Sequence, residues 1–330
     1  MEASDVRAQE IGAVGAAPDL VELGEIAAIS RSPWQLFWRR FRQDKLALGA
    51  LVFLILLVLV AIFAGQVVSL VGAPGPDVLD SKSLDIFGTP TGPSSAHMFG
   101  VDQLGRDVFS RTVYGARVSL IVAFTSTGLA TVLGVIAGLL AGYFRGWTDT
   151  VISRSVDVLL AIPYLLLATG LAAACSFGNG CLGGLVKPGV PVVIAVIAFT
   201  SWTYMARIIR GQVLSLREKE FVESARSVGA SDIRIIFREV LPNLAAPIIV
   251  YASTLLPQVI LYEAALSFLG VGVQPPTPSW GQMISDATSN FSTQWWYMFF
   301  PGMALLLTVL AFNFVGDAMQ DALNPRAKKT

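Results

Sequence analysis

Six nearly unbroken apolar stretches, at about 46–71, 117–143, 152–175, 188–210, 246–271 and 297–319, punctuate the chain, each near the roughly twenty residues that cross about 30 Å of hydrocarbon. They predict an all-α membrane protein of six transmembrane helices. In the second stretch Gly134, Gly138 and Gly142 recur every four residues, placing three positions without side chains on one face, where another helix can approach closely. Pro163 interrupts the third stretch, Pro191 lies near the start of the fourth and Pro257 interrupts the fifth; each removes a helix hydrogen bond and can kink its helix. Between the fourth and fifth stretches runs a polar segment of different character. From Ser215 to Phe237 the apolar positions Phe221, Val222, Ala225 and Val228, then Ile233, Ile235, Ile236 and Phe237, predict two short helices. Gly229 breaks them, and Ser231 or Asp232 is expected to cap the second.

Composition agrees with the pattern: 54% of the 330 residues are hydrophobic, 14% are charged, and mean hydropathy is +0.65. Net charge is zero, which gives no reason to expect nucleic acid as a partner. Residues 1–30 carry no apolar run followed by a cleavage site and read as a disordered tail. Basic residues fix an orientation. With the N-terminus inside, 18 of the 23 Lys and Arg fall on the inner side, and Lys82, Arg106, Arg111, Arg117 and Lys187 on the outer. Both termini and the 211–245 segment are therefore expected to face the cytoplasm. The aromatic and basic stretch 33–45 is expected to lie in the headgroup boundary before the first span.

Little of the chain supports catalysis. There is no phosphate-cradling Gly-rich loop ending in Gly-Lys, so ATP is not bound in that way here. The single histidine, His97, excludes a two-histidine zinc site, and as a lone loop residue it reads as polar surface. Cys175 and Cys181 flank a Gly-rich turn on the outer side, where they could form a small-loop disulfide; two free buried thiols are the alternative. Asp157, Glu263 and Asp317 lie within the spans, but none is near the centre, which argues against ion coupling. Trp280, Trp295 and Trp296 are expected at the membrane interface. The 215–238 elbow, with small Ala225 leaving clearance, Gly229 allowing a sharp reversal, and Glu220, Glu223, Arg226, Arg234 and Arg238 supplying charge, reads as a docking surface.

At these residues the chain resembles the permease subunits of ATP-binding-cassette importers. Their signature is Glu-Ala-Ala, three residues, Gly, nine residues, Ile, one residue, Leu-Pro. Glu223-Ser224-Ala225, Gly229 and Leu241-Pro242 match it, whereas Ser224 replaces an Ala and Glu239 stands where Ile is usual. Gly100-Val-Asp-Gln-Leu-Gly-Arg-Asp-Val-Phe-Ser-Arg, Tyr114-Gly-Ala-Arg-Val-Ser-Leu and the run from Leu266 to Gly281 look like the C-type permease of dipeptide and oligopeptide importers, a resemblance that covers roughly 31–325.

The resemblance implies a segment 31–72 with the first span, an outer loop 73–116, a five-helix permease core 117–325 holding the coupling loop 212–240, and a short tail 326–330. It further implies a non-catalytic plasma (inner) membrane subunit without cofactor or metal of its own. A homologous permease would complete the pathway, two P-loop ATPases would bind ATP and Mg, and an extracytoplasmic binding protein would deliver short peptides. Glu220, Glu223, Ala225, Arg226 and Gly229 would couple to the ATPase. Nickel, glutathione or another small solute is the alternative cargo, and an ion-coupled secondary transporter, a receptor or scaffold, or a membrane enzyme are the rival classes.

Overall fold

The computed structural model describes residues 33–86, 88–176 and 180–323. The N-terminal tail 1–30 and the tail 326–330 lie outside the described residues. The helices are α1 Pro33–Phe41, α2 Lys45–Ile62, α3 Ala64–Val71, α4 Val108–Phe144, α5 Gly146–Ala161, α6 Tyr164–Ser176, α7 Val190–Leu216, α8 Glu220–Ser227, α9 Asp232–Ile235, α10 Leu241–Asn243, α11 Ala245–Phe268, α12 Trp280–Ala287 and α13 Trp295–Leu323. Among the described residues the only extended pairing is isolated bridges. Among the described residues five helices (α2, α4, α7, α11, α13) are long and apolar enough to cross a membrane. Helices α5 and α6, bent by 94° between them, are long and apolar enough only when taken together, which brings the number to six. Pro163 sits at that bend, and the residue before it, Ile162, is pushed to the extended conformation that a following proline favours.

Successive crossings alternate in direction, so the start of α2, the end of α13 and the segment between α7 and α11 share one end of the bundle, here the elbow end. The loop 72–107 and α12 occupy the far end. Helix α4 begins nine residues before its apolar run was expected to start. Asp107 Oδ1 accepts from Ser110 N–H at 2.7 Å as the N-cap, and the first turn carries buried Ser110, Arg111 and Thr112, which hydropathy does not register.

Packing is closest between α4 and α7. A Cβ on Gly134 would stand 2.5 Å from Met205 Cβ, one on Gly138 2.7 Å from both Ala206 O and Ile209 Cβ, and one on Gly142 2.7 Å from Val213 Cβ. The three glycines thus bring the two backbones together, supplying dispersion contact where lipid provides no hydrophobic drive.

At the far end, polar groups are sequestered. Arg111 is fully buried, donating to Pro76 O at 3.1 Å and Asp77 Oδ1 at 3.2 Å, while Arg106 pairs with Asp102 at 2.7 Å. His97 is not surface: it is 5% exposed, with Nδ1 2.9 Å from Asp107 Oδ2 and Nε2 2.7 Å from Ser83 Oγ. The Ser83 hydroxyl also donates to Asp80 and is buried, so the Ser-His-Asp chain ties the loop to the cap of α4. Two of the three expected interface tryptophans are interior as well. Trp280 is fully buried with Nε1–H donating to Thr112 O at 3.0 Å, and Trp296 donates to Val101 O at 3.2 Å; only Trp295 is exposed. An indole N–H with a backbone carbonyl partner has no need of the headgroup region. Cys175 and Cys181 are joined, with Cα atoms 4.7 Å apart.

At the elbow end, α1 does more than lie in a headgroup layer. Its Phe41 is buried with Ala47, Ala318 and Ala322, which joins α1 to the last turns of α13, while Trp38 stays exposed beneath the Arg42 guanidinium.

Candidate functional site

The elbow stands on the ends of α4 and α7. Val222, Ile235, Ile236, Val240 and Leu244 turn inward and join Leu139, Tyr143, Met205, Ile209 and Val213 in one apolar cluster. Helix α8 is oriented by its charges, with Glu220 and Glu223 in the first turn and Arg226 in the last, each complementing the helix dipole. It ends in a Schellman motif: Ala230 N–H donates to Ala225 O at 3.1 Å and Gly229 N–H to Arg226 O at 3.0 Å. Gly229 has φ +85°, and a Cβ there would touch nothing within 4 Å, so backbone conformation and not space calls for glycine.

Ser231 takes the N-cap position of α9 by its backbone, without a side-chain hydrogen bond. The expected capping alternative, Asp232, instead accepts from Tyr143 Oη at 2.7 Å, fastening the elbow to α4. After α9 the chain widens to a π turn, Ile236–Val240, in which Leu241 N–H reaches Ile236 O. The extra residue sits immediately before Pro242, which has no N–H to give. Glu239, the departure from the family pattern, lies in this turn, and its carbonyl accepts from Asn243 Nδ2.

Of the five residues expected to couple, Glu220, Glu223, Arg226 and Gly229 are exposed, Arg226 reaching back to the Tyr143 hydroxyl on α4. Ala225 is half-buried and packs against the chain's own apolar cluster, so its small size serves the close seat of α8 on the bundle. Three of the apolar positions on the two short helices face away from the bundle. Val228 is 88% exposed, Ile233 69% and Phe237 62%, three large apolar side chains that the elbow leaves uncovered. The signal was present: these positions fall out of phase with the inward set at 222, 235, 236 and 240.

Behind the elbow, α5 and α7 are joined by ion pairs. Arg210 forks onto Asp149 at 2.5 and 2.8 Å, and Arg207 meets Asp157 at 2.8 Å. Arg145, which links α4 to α5 with φ +55°, pairs with Glu218 just before α8. Glu263 is fully buried toward the far end, accepting from Ser119 at 2.9 Å and Ser267 at 2.8 Å.

Residues 134–329 match the family model of the binding-protein-dependent transport system inner membrane component, and residues 32–74 match that of the N-terminal transmembrane domain of oligopeptide transport permease C. The chain is 40% identical over 298 residues to the glutathione transport system permease protein GsiD of Pectobacterium atrosepticum, covering 90% of this chain and 93% of that protein. It is 42% identical over 299 residues to the protein of the same name from Escherichia coli O6:K15:H31, covering 90% and 92%. Among solved structures, a chain of the MetNI methionine ABC transporter superposes with a TM-score of 0.54 at 19% identity, covering 66% of this chain and 97% of that one; at that identity the likeness is one of fold.

Proposed function

The chain belongs to the inner membrane permeases of binding-protein-dependent ABC importers, in the branch of oligopeptide permease C, and from that premise we propose that it conducts short peptides, glutathione among them, in partnership with a homologous permease. Two P-loop ATPases bind and hydrolyse ATP for the pair, and a binding protein on the outer face releases cargo to the far-end loops. The observation that carries the reading is the elbow itself. It is joined to α4 and α7 through its inward side chains and exposes Val228, Ile233 and Phe237 together with the charged Glu220, Glu223, Arg226, Arg234 and Arg238, an arrangement suited to passing a push from a docked subunit into two closely packed spans.

The orientation follows from the distribution of basic residues: the elbow end faces the cytoplasm, with both termini on that side. Each ligand of such a machine must bind one state better than the other, and here the ATPase would do so through Glu220, Glu223, Arg226 and Gly229 together with Val228, Ile233 and Phe237, with Ala225 acting from the inner side by seating α8 on the bundle. Glutathione is favoured as one cargo by the two permeases at 40–42% identity that bear its name. The test is reconstitution of the chain with its neighbouring permease, ATPases and binding protein in liposomes. Uptake of labelled trialanine or glutathione that requires ATP and survives an ionophore supports the importer. Uptake that collapses with the ionophore and persists without ATPases returns the chain to the ion-coupled class.

A further inference from the structure

The bend between α5 and α6 opens a cavity of about 290 Å³ against α7 and α11. Its wall includes Tyr164, Ser201, Tyr204, Tyr251, Gln258 and Tyr262, all uncharged. Tyr164 and Tyr262 stack with ring centroids 3.8 Å apart. Ser201 is 4% exposed, and its hydroxyl lies beside that of Tyr164 at the buried edge of the cavity. Hydroxyls that face one another in this way keep lone pairs free for a polar guest in the cavity. Helix α6 starts at this cavity, and α5 ends there, so the break presents the positive end of one helix dipole and the negative end of another to the same space.

The surface around the cavity is not a lipid face. Gln258 is exposed about 20 Å along α11 from its elbow end, close to the middle of the span. Tyr204 is 57% exposed on α7, and one turn on, the Asp157–Arg207 pair is about half exposed on both sides, some 14 Å inside the elbow end of α7. A half-exposed ion pair and an exposed amide at these depths must meet water or protein, since hydrocarbon offers neither hydrogen bonds nor screening.

We propose that this wall lines the water-filled translocation path, and that the tyrosine-walled cavity at the bend is a contact site for the amide and carboxylate groups of a passing peptide. The proposal rests on the importer reading above and assigns it a substrate surface. Hydroxyl and amide side chains with aromatic faces hold a peptide by neutral contacts, and the paired helix ends favour the opposite charges of a zwitterion. The Asp157–Arg207 pair stands between this cavity and the elbow, where it would part as the path opens toward that end.

The test uses the assembled importer in lipid nanodiscs, with Gln258→Cys and Tyr204→Cys each treated with a charged, membrane-impermeant methanethiosulfonate. The unsubstituted chain is the blank, and Ile55→Cys, on the exposed face of the first span, is the lipid control. Modification at 258 and 204 is expected at least tenfold faster than at 55, and saturating trialanine or S-methylglutathione is expected to slow it, the difference between the two showing which cargo the site takes. Rates equal to that at 55 in every nucleotide state, or fast modification in the isolated chain that disappears on assembly, would overturn the assignment of a water-filled path. Fast modification that neither probe slows overturns the contact site. As a second variant, Ser201→Trp fills the cavity and is expected to lower uptake at least tenfold while the ATPases still co-purify; undiminished uptake overturns the proposal. Failure of the importer reading is separately visible, as loss of ATP dependence in the unsubstituted chain.

Discussion

Two glycines show how different physical needs select the same residue. Gly138 is chosen by space: its Cβ would overlap Ala206 O and Ile209 Cβ, so Gly138→Val is expected to push α4 from α7 and destabilise the fold by about 1–3 kcal/mol, read as a lowered melting temperature in detergent. Gly128, with open space at its Cβ, supplies the control, since Gly128→Ala should leave that temperature unchanged. Gly229 is chosen by backbone angle. At φ +85° a β-branched residue is strained by about 1–2 kcal/mol, so Gly229→Val is expected to redirect the elbow and abolish ATP-driven uptake while membrane insertion is retained. Uptake at the unsubstituted level would remove the bend from the coupling mechanism. The tryptophans make the converse point: composition places an indole at the membrane interface by habit, but a carbonyl at 3.0 Å holds Trp280 in the interior.

At the scale of elements, the far-end loop is a polar lattice pinned to the first turn of α4. Asp80 is central to it, and its carboxyl is held below its ordinary 3.8, first by the Ser83 hydroxyl and then by the Lys82 amide. A carboxylate lowered in the folded state contributes stability that is complete above the unfolded value and is lost as pH falls through the folded one. Protection of the Lys82 and Ser83 amides from hydrogen exchange should therefore hold at neutral pH and drop below about pH 4, and Asp80→Asn should remove that dependence. Asp286 in α12 has the opposite sense: burial raises its carboxyl, so its contribution is present at acid pH and fades as pH rises through its folded value. Protection at Lys82 that is indifferent to pH in the unsubstituted chain would show that the lattice does not rest on Asp80.

At the scale of the whole molecule, the elbow and the bend cavity lie on one mechanical line. Val228 and Ile233 are exposed and support no part of the fold, so Val228→Asp with Ile233→Asp should leave expression and melting unchanged. Co-purification with the ATPases should fall at least tenfold, a change of about 1.4 kcal/mol or more in binding free energy. Retained co-purification would move the docking surface elsewhere. From the elbow the apolar cluster runs into α4 and α7, and α7 carries Arg207, Tyr204 and Ser201 along its length toward the cavity. A displacement of the elbow is thus felt by the wall that the cargo would touch.

Hydropathy, the proline at 163, the glycine period in α4 and the motif around Gly229 determined the number of spans, one break, one helix seam and the existence of the elbow. They did so because each is a local consequence of backbone chemistry or of the period of a helix. What only the tertiary structure decided is direction. It turned Ala225 inward and Val228 outward, buried His97 and Trp280, bent the third span by 94°, and drew tyrosines from three helices around one cavity. These outcomes depend on which surfaces meet in space, over separations that run from 10 residues for His97 and Asp107 to 168 for Trp280 and Thr112, and the period of a helix carries no record of the partner.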